Sequence, residues 1–503
     1  MLGQSGKRVL VLEARELLGG AGATEGLFPG FHVSSGSPEA GLFRPEINQS
    51  LFLKRHGLEW IEPPAWSFVP GDSETSLTLW ADSARAQSEI ARFSAKDAER
   101  YPAFLEQMRK MASVLSAMAV LTPPQPGKDG QLSAFDLVPW GRVGLKVRGL
   151  GNREMMNFMR ILPMPAAEYV SEWFESEPLR GILAARAVAG QMLAPMGAGT
   201  TLNLLYGWIG GVVPRYVRGG TGQLSQAIAQ AAVAYRAQVR TASPVKRILS
   251  EGGTVRGVEL ETGDIIEAPV VVSAANPRAT LFDLLGPEQL PLQTVRRVRN
   301  IRYRGSTAVL HLALTDMPKF LGADDNTERL SGQILINAGL KSIEAAYDDA
   351  KYGRISETPL LRAYLPTLLD PALAPDGRHL LSVQVQYAPY SLSEGTWKKS
   401  AGALTQAVLD ILETAAPGLR DLVQKHHMIS PADWEATYGL AEGQIHHGQH
   451  SLDQLMFMRP APGLGRYRTP ISGLYLCGSG SHPGGGMTGA PGYNAAREIL
   501  KDV

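Results

Sequence analysis

An α/β fold is predicted by three stretches of this chain. Near its start, Arg8-Val9-Leu10-Val11-Leu12-Glu13 is an apolar run closed by an acid, and Leu18-Gly19-Gly20-Ala21-Gly22 follows. Near its end, the apolar residues 473–477 run into a turn with six glycines between 478 and 489, and a helical pattern follows over 494–500. Between them, period-two and period-3.6 segments alternate. Glycine turns let backbone N–H groups approach a large or anionic ligand. A helix N-terminus beyond the turn adds partial positive charge. A strand that runs into a glycine turn is how dinucleotide-binding folds bring backbone close to a pyrophosphate.

Taken in order, residues 1–60 read as the first part of that nucleotide-binding domain. Residues 61–213 are expected to be mostly helical. Apolar positions Tyr101, Phe104, Met108, Met111 and Leu115 share one side of a helix over 97–118. Pro123-Pro124-Gln125-Pro126-Gly127 is a break, and 178–188 reads as another helix. Over 214–290 the nucleotide domain resumes. Gly219-Gly220-Thr221-Gly222 precedes an amphipathic helix over 223–236, then short strands fall at 244–249, 255–260 and 265–269, and a buried strand at 270–272. Residues 291–439 form the second part of a substrate domain, with strands at 306–314, 332–336 and 380–387 and a helix over 400–414. The nucleotide domain closes over 440–503.

Composition excludes several functions. A chain of 503 residues is too long for one core. A net charge of +1 gives no reason to expect nucleic acid as a partner. The single cysteine, Cys477, rules out a disulfide framework, a cysteine-rich metal site and a redox dithiol within one chain. Its apolar neighbours make it a buried filler. The charge-free stretch 187–213 is interrupted by seven glycines and prolines, which suits a substrate-cavity wall better than a bilayer span.

The strand-Glu13-Ala14-Arg15 segment, Leu18-Gly19-Gly20-Ala21 and the ending Leu474-Tyr475-Leu476-Cys477-Gly478 with His482-Pro483-Gly484-Gly485-Gly486 resemble the phytoene desaturase-type FAD-dependent oxidoreductases, which include desaturase-type carotenoid ketolases. Trp173-Phe174-Glu175-Ser176-Glu177-Pro178-Leu179, Gly219–Leu224 and Ser451-Leu452-Asp453-Gln454-Leu455 extend the resemblance along nearly the whole chain. It implies an FAD/NAD(P)-binding Rossmann-like domain beside a substrate domain of mixed sheet and helices. It implies FAD as cofactor and hydride transfer to it from a hydrophobic, isoprenoid- or carotenoid-like molecule. A desaturase or ketolase of pigment biosynthesis is the narrower reading. A non-catalytic regulatory or scaffold protein on a degenerate flavin fold is the other. In a bacterium the family implies a cytoplasmic or peripherally membrane-bound protein. In a eukaryote it implies the mitochondrial matrix and regulation of mitochondrial function.

Site residues follow from motif and resemblance together. A strand-ending acid places its carboxylate on the adenosine ribose, and Glu13 fits that role. Cofactor contacts are expected from Glu13, Ala14, Arg15, Gly19, Gly20 and Ala21, from the backbone of Val245 on the adenine, and from Gly478, Ser479, Gly485, Gly486, Met487, Thr488 and Gly489. His482, inside the last turn, is the candidate catalytic residue; it either meets the flavin or substrate, or packs and caps the turn. The family opens with a further strand and a Gly-x-Gly-x-x-Gly turn. Only Met1-Leu2-Gly3-Gln4-Ser5-Gly6 precedes Lys7, so the sequence leads us to expect a sheet lacking its first strand, with an open slot. A misassigned start or a shortened chain would give this.

Two further groups complete the reading. His446, His447 and His450 have a spacing that invites a metal, but Gly443 and Gly448 argue against one helix face, and no metal is expected. Over 137–160, Trp140, Arg142, Lys146, Arg148, Arg153 and Arg160 interleave with Leu137, Val138, Val143, Leu145, Val147, Leu150, Met155, Met156, Phe158 and Met159. That mixture suits either peripheral contact with an anionic bilayer or a solvated basic face over core-facing methionines.

Overall fold

The computed structural model describes residues 1–72, 74–124 and 134–503. The proline break expected at 123–127 lies partly outside the described residues. The largest sheet has seven strands, in the order Val423–Ile429, Thr307–Leu314, His379–Gln386, Leu361–Tyr364, Gln333–Ile336, Ala65–Val69, Leu77–Trp80. Every pair is antiparallel except Gln333–Ile336 beside Ala65–Val69.

Side chains alternate across a strand, and this sheet uses its two faces differently. Leu310, Leu312, Ile334, Ala363 and Val383 pack with Leu404 and Val408 of the helix Trp397–Ala415. The opposite face carries Ser67, His311, Gln333, Arg362, Ser382 and Gln384, all buried. Register confirms the alternation: Gln333 stands beside Ser67, Arg362 beside Gln384 and His311 beside Ser382.

The helical part forms a separate apolar core around Ala95–Ala119, Glu177–Ala187 and Thr200–Tyr206. The first of these starts at Ala95 because Ser94 caps it, accepting from the Asp97 amide at 3.2 Å. Asp97 is itself buried and accepts from the amides of Glu175, at 3.0 Å, and Ser176, at 2.7 Å. One carboxylate thus caps the approach to Glu177–Ala187, which accounts for the Trp173–Leu179 stretch. Residues 61–213 are mostly helical among those described, and Ala65–Val69 and Leu77–Trp80 are two strands the sequence reading did not name. These runs are almost wholly buried and short, so they lack the alternation that marks a strand in sequence.

In the nucleotide-binding part, Leu10–Leu12 pairs in parallel with Gln238–Arg240, and Val271–Ser273 pairs in parallel with Leu474–Leu476. These are two separate two-stranded sheets rather than one continuous one. An antiparallel sheet of Val245–Glu251, Thr254–Leu260 and Ile265–Glu267 follows.

Candidate cofactor site

The chain pairing that builds the first part of the site begins at Glu13. Its amide donates to the Arg240 carbonyl, the Ser243 amide donates to the Glu13 carbonyl, and the Ala242 amide donates to the Arg15 carbonyl, each at 2.9 Å. Glu13, Ala14 and Arg15 are therefore laid against 240–243, two residues before Val245. The Glu13 carboxylate is half-buried and accepts from the Arg15 amide at 2.9 Å. Arg15 reaches Glu25 at 2.6 Å and lies over the Tyr438 ring at 4.5 Å. Burial works against charge on Glu25, yet hydrogen bonds from Arg15, Ser35 and Tyr438 hold its carboxyl below the usual range. One nitrogen of the Arg15 guanidinium, Nη1, is buried with no partner.

Gly19 and Gly20 both take positive φ, 115° and 55°, which turns the chain tightly. A side chain beginning at Gly20 would meet no atom within 4 Å, whereas one at Gly22 would meet the Met487 sulfur at 3.1 Å. The first glycine turn and the last therefore touch. In the last turn the amides of Gly478, Ser479, Gly486, Met487, Thr488 and Gly489 have no hydrogen-bond acceptor among the described residues. Met487 sits at φ 54° and Gly489 at 71°, immediately before the helix Ala490–Asp502. A buried unpaired donor is costly. Free donors at these largely half-buried positions, four of them just before a helix N-terminus, together with Arg15 Nη1 fit an elongated ligand with a diphosphate and an electron-rich ring.

Two expected residues behave differently. Gly485 supplies no free donor: its amide donates to His450 Nε2 at 3.2 Å, and its carbonyl accepts from the Tyr206 hydroxyl at 3.0 Å. The Tyr206 and His450 rings meet edge-on at 5.1 Å. A side chain at Gly485 would collide with His446 at 2.6 Å, so this glycine is required by close packing within the protein rather than by an open cofactor face. His482 is wholly buried, with Nε2 donating to the Met118 carbonyl at 3.1 Å and its ring stacked on Phe457. Burial pulls its pKa down to about 4, so it is neutral at physiological pH. These are the contacts of a ring that packs beneath the turn.

His450 and Tyr206 escaped the sequence reading as parts of the site. The signal available was Asn203 and Tyr206, polar groups in an otherwise apolar run; Asn203 Nδ2 donates to the His450 carbonyl at 3.0 Å. Because the Gly485 amide can only donate, His450 Nε2 carries no proton. Burial, the neighbouring His446 and the Arg459 charge keep this ring neutral. Among the described residues no group of three or more His, Cys, Asp or Glu is placed to hold a metal. Arg459 is buried, with no carboxylate bonded to it among the described residues. Its guanidinium donates to the carbonyls of Ser479 at 2.9 Å, Gln454 at 3.1 Å and Gly448 at 3.2 Å, and to that of His446. Burial lowers its pKa to about 10, which leaves it charged at neutral pH. Desolvation pushes the Cys477 thiol up to about 12, as suits an inert filler.

Residues 149–500 match the family described as flavin containing amine oxidoreductase. The chain belongs to this family. Pyridine nucleotide-disulfide oxidoreductase domain-containing protein 2 of Rattus norvegicus is 35% identical, with 99% of this chain and 90% of the relative aligned. The zeta-carotene-forming phytoene desaturase of Myxococcus xanthus is 26% identical over 63% of this chain and 58% of its own. Cyclohexylamine oxidase from Brevibacterium oxydans shares the fold, with a TM-score of 0.55 at 16% identity over 100% of this chain and 94% of that structure. This member of the flavin-containing amine oxidoreductase family is an FAD-dependent oxidoreductase with a mixed α/β fold, as the sequence led us to expect.

Proposed function

We propose that this chain oxidises a hydrophobic, isoprenoid-like substrate at the face bounded by Gly20, Met487 and the wall 187–213. The observation that carries the reading is the meeting of wall and turn: Tyr206, within the wall, donates to Gly485. Leu202, Leu204, Leu205, Trp208 and Ile209 make that wall apolar. The relative that forms zeta-carotene from phytoene supports a substrate of this class. FAD, when bound, takes up a hydride with its electron pair, while a proton leaves the substrate. Glu13 would hold the adenosine ribose, Val245 the adenine through its backbone, and Arg15 with the Gly19–Ala21 turn the diphosphate. The amides of Gly478, Ser479 and Gly486–Gly489 favour negative charge near the ring. His482 supports the turn from beneath. The test is a purified protein that is yellow, with flavin absorption that bleaches anaerobically on adding an isoprenoid. A colourless protein that cannot be reconstituted with FAD would sink the reading.

We further propose that the segment 137–160 touches an anionic bilayer. Val138 is 74% exposed, Leu145 69%, Met156 66% and Met159 61%, beside exposed Arg142, Lys146, Arg148 and Arg153. Met156 and Met159 thus lie outside the core, while Val143 and Phe158 face it. That pattern favours the interfacial reading over a solvated basic face. Phe457, 5.1 Å from Trp140, links this patch to His482. No helix among the described residues is long and apolar enough to cross a membrane, so the contact is peripheral, at the cytoplasmic face of a bacterium or in a mitochondrial matrix. Reversing Arg142, Lys146 and Arg148 to Glu should lower co-sedimentation with anionic liposomes by about 1 kcal/mol per charge removed and leave flavin content intact. A wild-type protein that ignores such liposomes at low salt rejects the contact.

A further inference from the structure

We propose that the polar face of the seven-stranded sheet, with Tyr216 and Glu39, recognises a hydroxyl group on the substrate. This rests on the proposed oxidation of a hydrophobic molecule and narrows it, to an apolar molecule carrying an alcohol oxygen.

A sheet buried on both faces is ordinarily apolar on both, because each buried polar group costs free energy unless it is paired. Here one face is apolar and the other holds Ser67, Gln333, Arg362 and Gln384. Part of that polarity is answered internally. Arg362 donates through Nη2 to Gln333 at 2.9 Å and through Nη1 to Gln384 at 3.5 Å. No carboxylate bonds to it among the described residues. Part is not answered. The hydroxyls of Tyr216, 4% exposed, and Tyr364, 1% exposed, are buried with no partner. The Glu39 carboxylate stands near both and Tyr364 approaches it, yet no hydrogen bond of normal geometry is completed. Glu39 is half-buried and bridges Tyr216 through the backbone.

The cluster is joined to the cofactor cradle by two hydrogen bonds. Gln384 Nε2 donates to the Gly36 carbonyl at 2.9 Å, and the Gly36 amide donates to the Ala21 carbonyl at 2.9 Å. A side chain at Gly36 would strike that Ala21 carbonyl at 2.6 Å, so the two segments are in contact. A group bound among Tyr216, Tyr364 and Glu39 therefore lies beside the strand register that leads to the first glycine turn.

The chemistry selects the ligand. Two phenolic hydroxyls offer protons and one carboxylate accepts one, and an alcohol matches both needs at a single oxygen. A carboxylate ligand would be set against Glu39. An ammonium would be set against Arg362 and the half-buried Arg186, whose charge also reaches Glu39 and Tyr364.

The test uses the holoprotein with farnesol, farnesene and farnesylamine as probes, read by the change in flavin absorbance and by the shift in Tm. Wild type should bind farnesol more tightly than either of the others. Tyr216→Phe keeps the ring and removes a hydroxyl with no partner, so Tm and flavin content should hold, and Tyr364→Phe gives up in addition only its approach to Glu39. Each should weaken farnesol by roughly three- to tenfold, the loss of one hydrogen bond, and leave farnesene unchanged. Farnesol binding no tighter than farnesene in wild type, or unchanged in both Phe variants, overturns the site. A protein without FAD would instead refute the oxidoreductase reading, and the Tm shift would still separate farnesol from farnesene.

Discussion

The two ends of the cofactor site are built by different means. At the end proposed for the adenosine, side chains carry the polar contacts: the half-buried Glu13 carboxylate accepts from the Arg15 amide, Arg15 reaches Glu25, and one guanidinium nitrogen is left over. At the end proposed for the ring the free polar groups are backbone amides, and side chains act from behind. Tyr206 and His450 hold both sides of the Gly485 peptide, and His482 and Phe457 stack below. A site made of side chains can be altered one contact at a time. A site made of backbone depends on whatever fixes that backbone.

The largest effect should therefore come from the ring end. Gly489→Val forces a branched side chain into φ 71° with its Cβ 2.7 Å from the Phe43 ring. The left-handed conformation costs about 1–2 kcal/mol and overpacking about 1–3 kcal/mol more. Flavin absorbance should vanish and Tm should drop; normal flavin content in this variant would break the contrast.

Next is the helix behind the turn. Glu498 is buried and bonded to Arg468 at 2.5 Å, to Thr122 at 2.9 Å and to Lys501. Burial opposes its charge, but these partners hold its pKa at about 2 against an ordinary 4.5. The carboxylate's contribution is complete above the ordinary value and is lost as pH falls through the lowered one. Wild-type Tm should decline as pH drops below 4.5. Glu498→Gln should cost about 3 kcal/mol at neutral pH, as when one member of a buried pair is removed, and should flatten that decline. Equal acid profiles for the two proteins would show that the helix is anchored elsewhere.

At the adenosine end, Glu13→Ala should weaken FAD binding by roughly 1.5–3 kcal/mol, the worth of a charge-assisted hydrogen bond, with Tm of the apoprotein unchanged. Equilibrium dialysis showing wild-type affinity would remove Glu13 from the site. The smallest change is expected for Tyr206→Phe. It strips one hydrogen bond from the Gly485 carbonyl, worth about 1 kcal/mol, seen as a shift in the denaturation midpoint and a displaced flavin absorption maximum. If the maximum stays while stability falls, Tyr206 supports the fold without setting the ring's position.

Long periodic segments were legible in the sequence. The helix expected at 97–118 is Ala95–Ala119, and the strand expected at 306–314 is Thr307–Leu314. Ala65–Val69 was not legible, because its partner Gln333–Ile336 lies far along the chain and neither run alternates. The strand that ends at Glu13 and the tight glycine turns were legible because apolar runs and positive-φ glycines have local causes. Tyr206 was not, since its hydroxyl meets a carbonyl 279 residues away, and such a contact exists only once the two cores have docked. Gly485 was expected among the cofactor contacts, but a side chain there would meet His446.

Arg459 ties carbonyls of 446–454 to that of Ser479 through a single planar cation. Mechanically it is a rivet: the loop bearing His450 and the strand end bearing Ser479 cannot slide past one another without stripping several dipoles from a charge that has no water to turn to. The histidine loop and the glycine turn must then shift together or not at all.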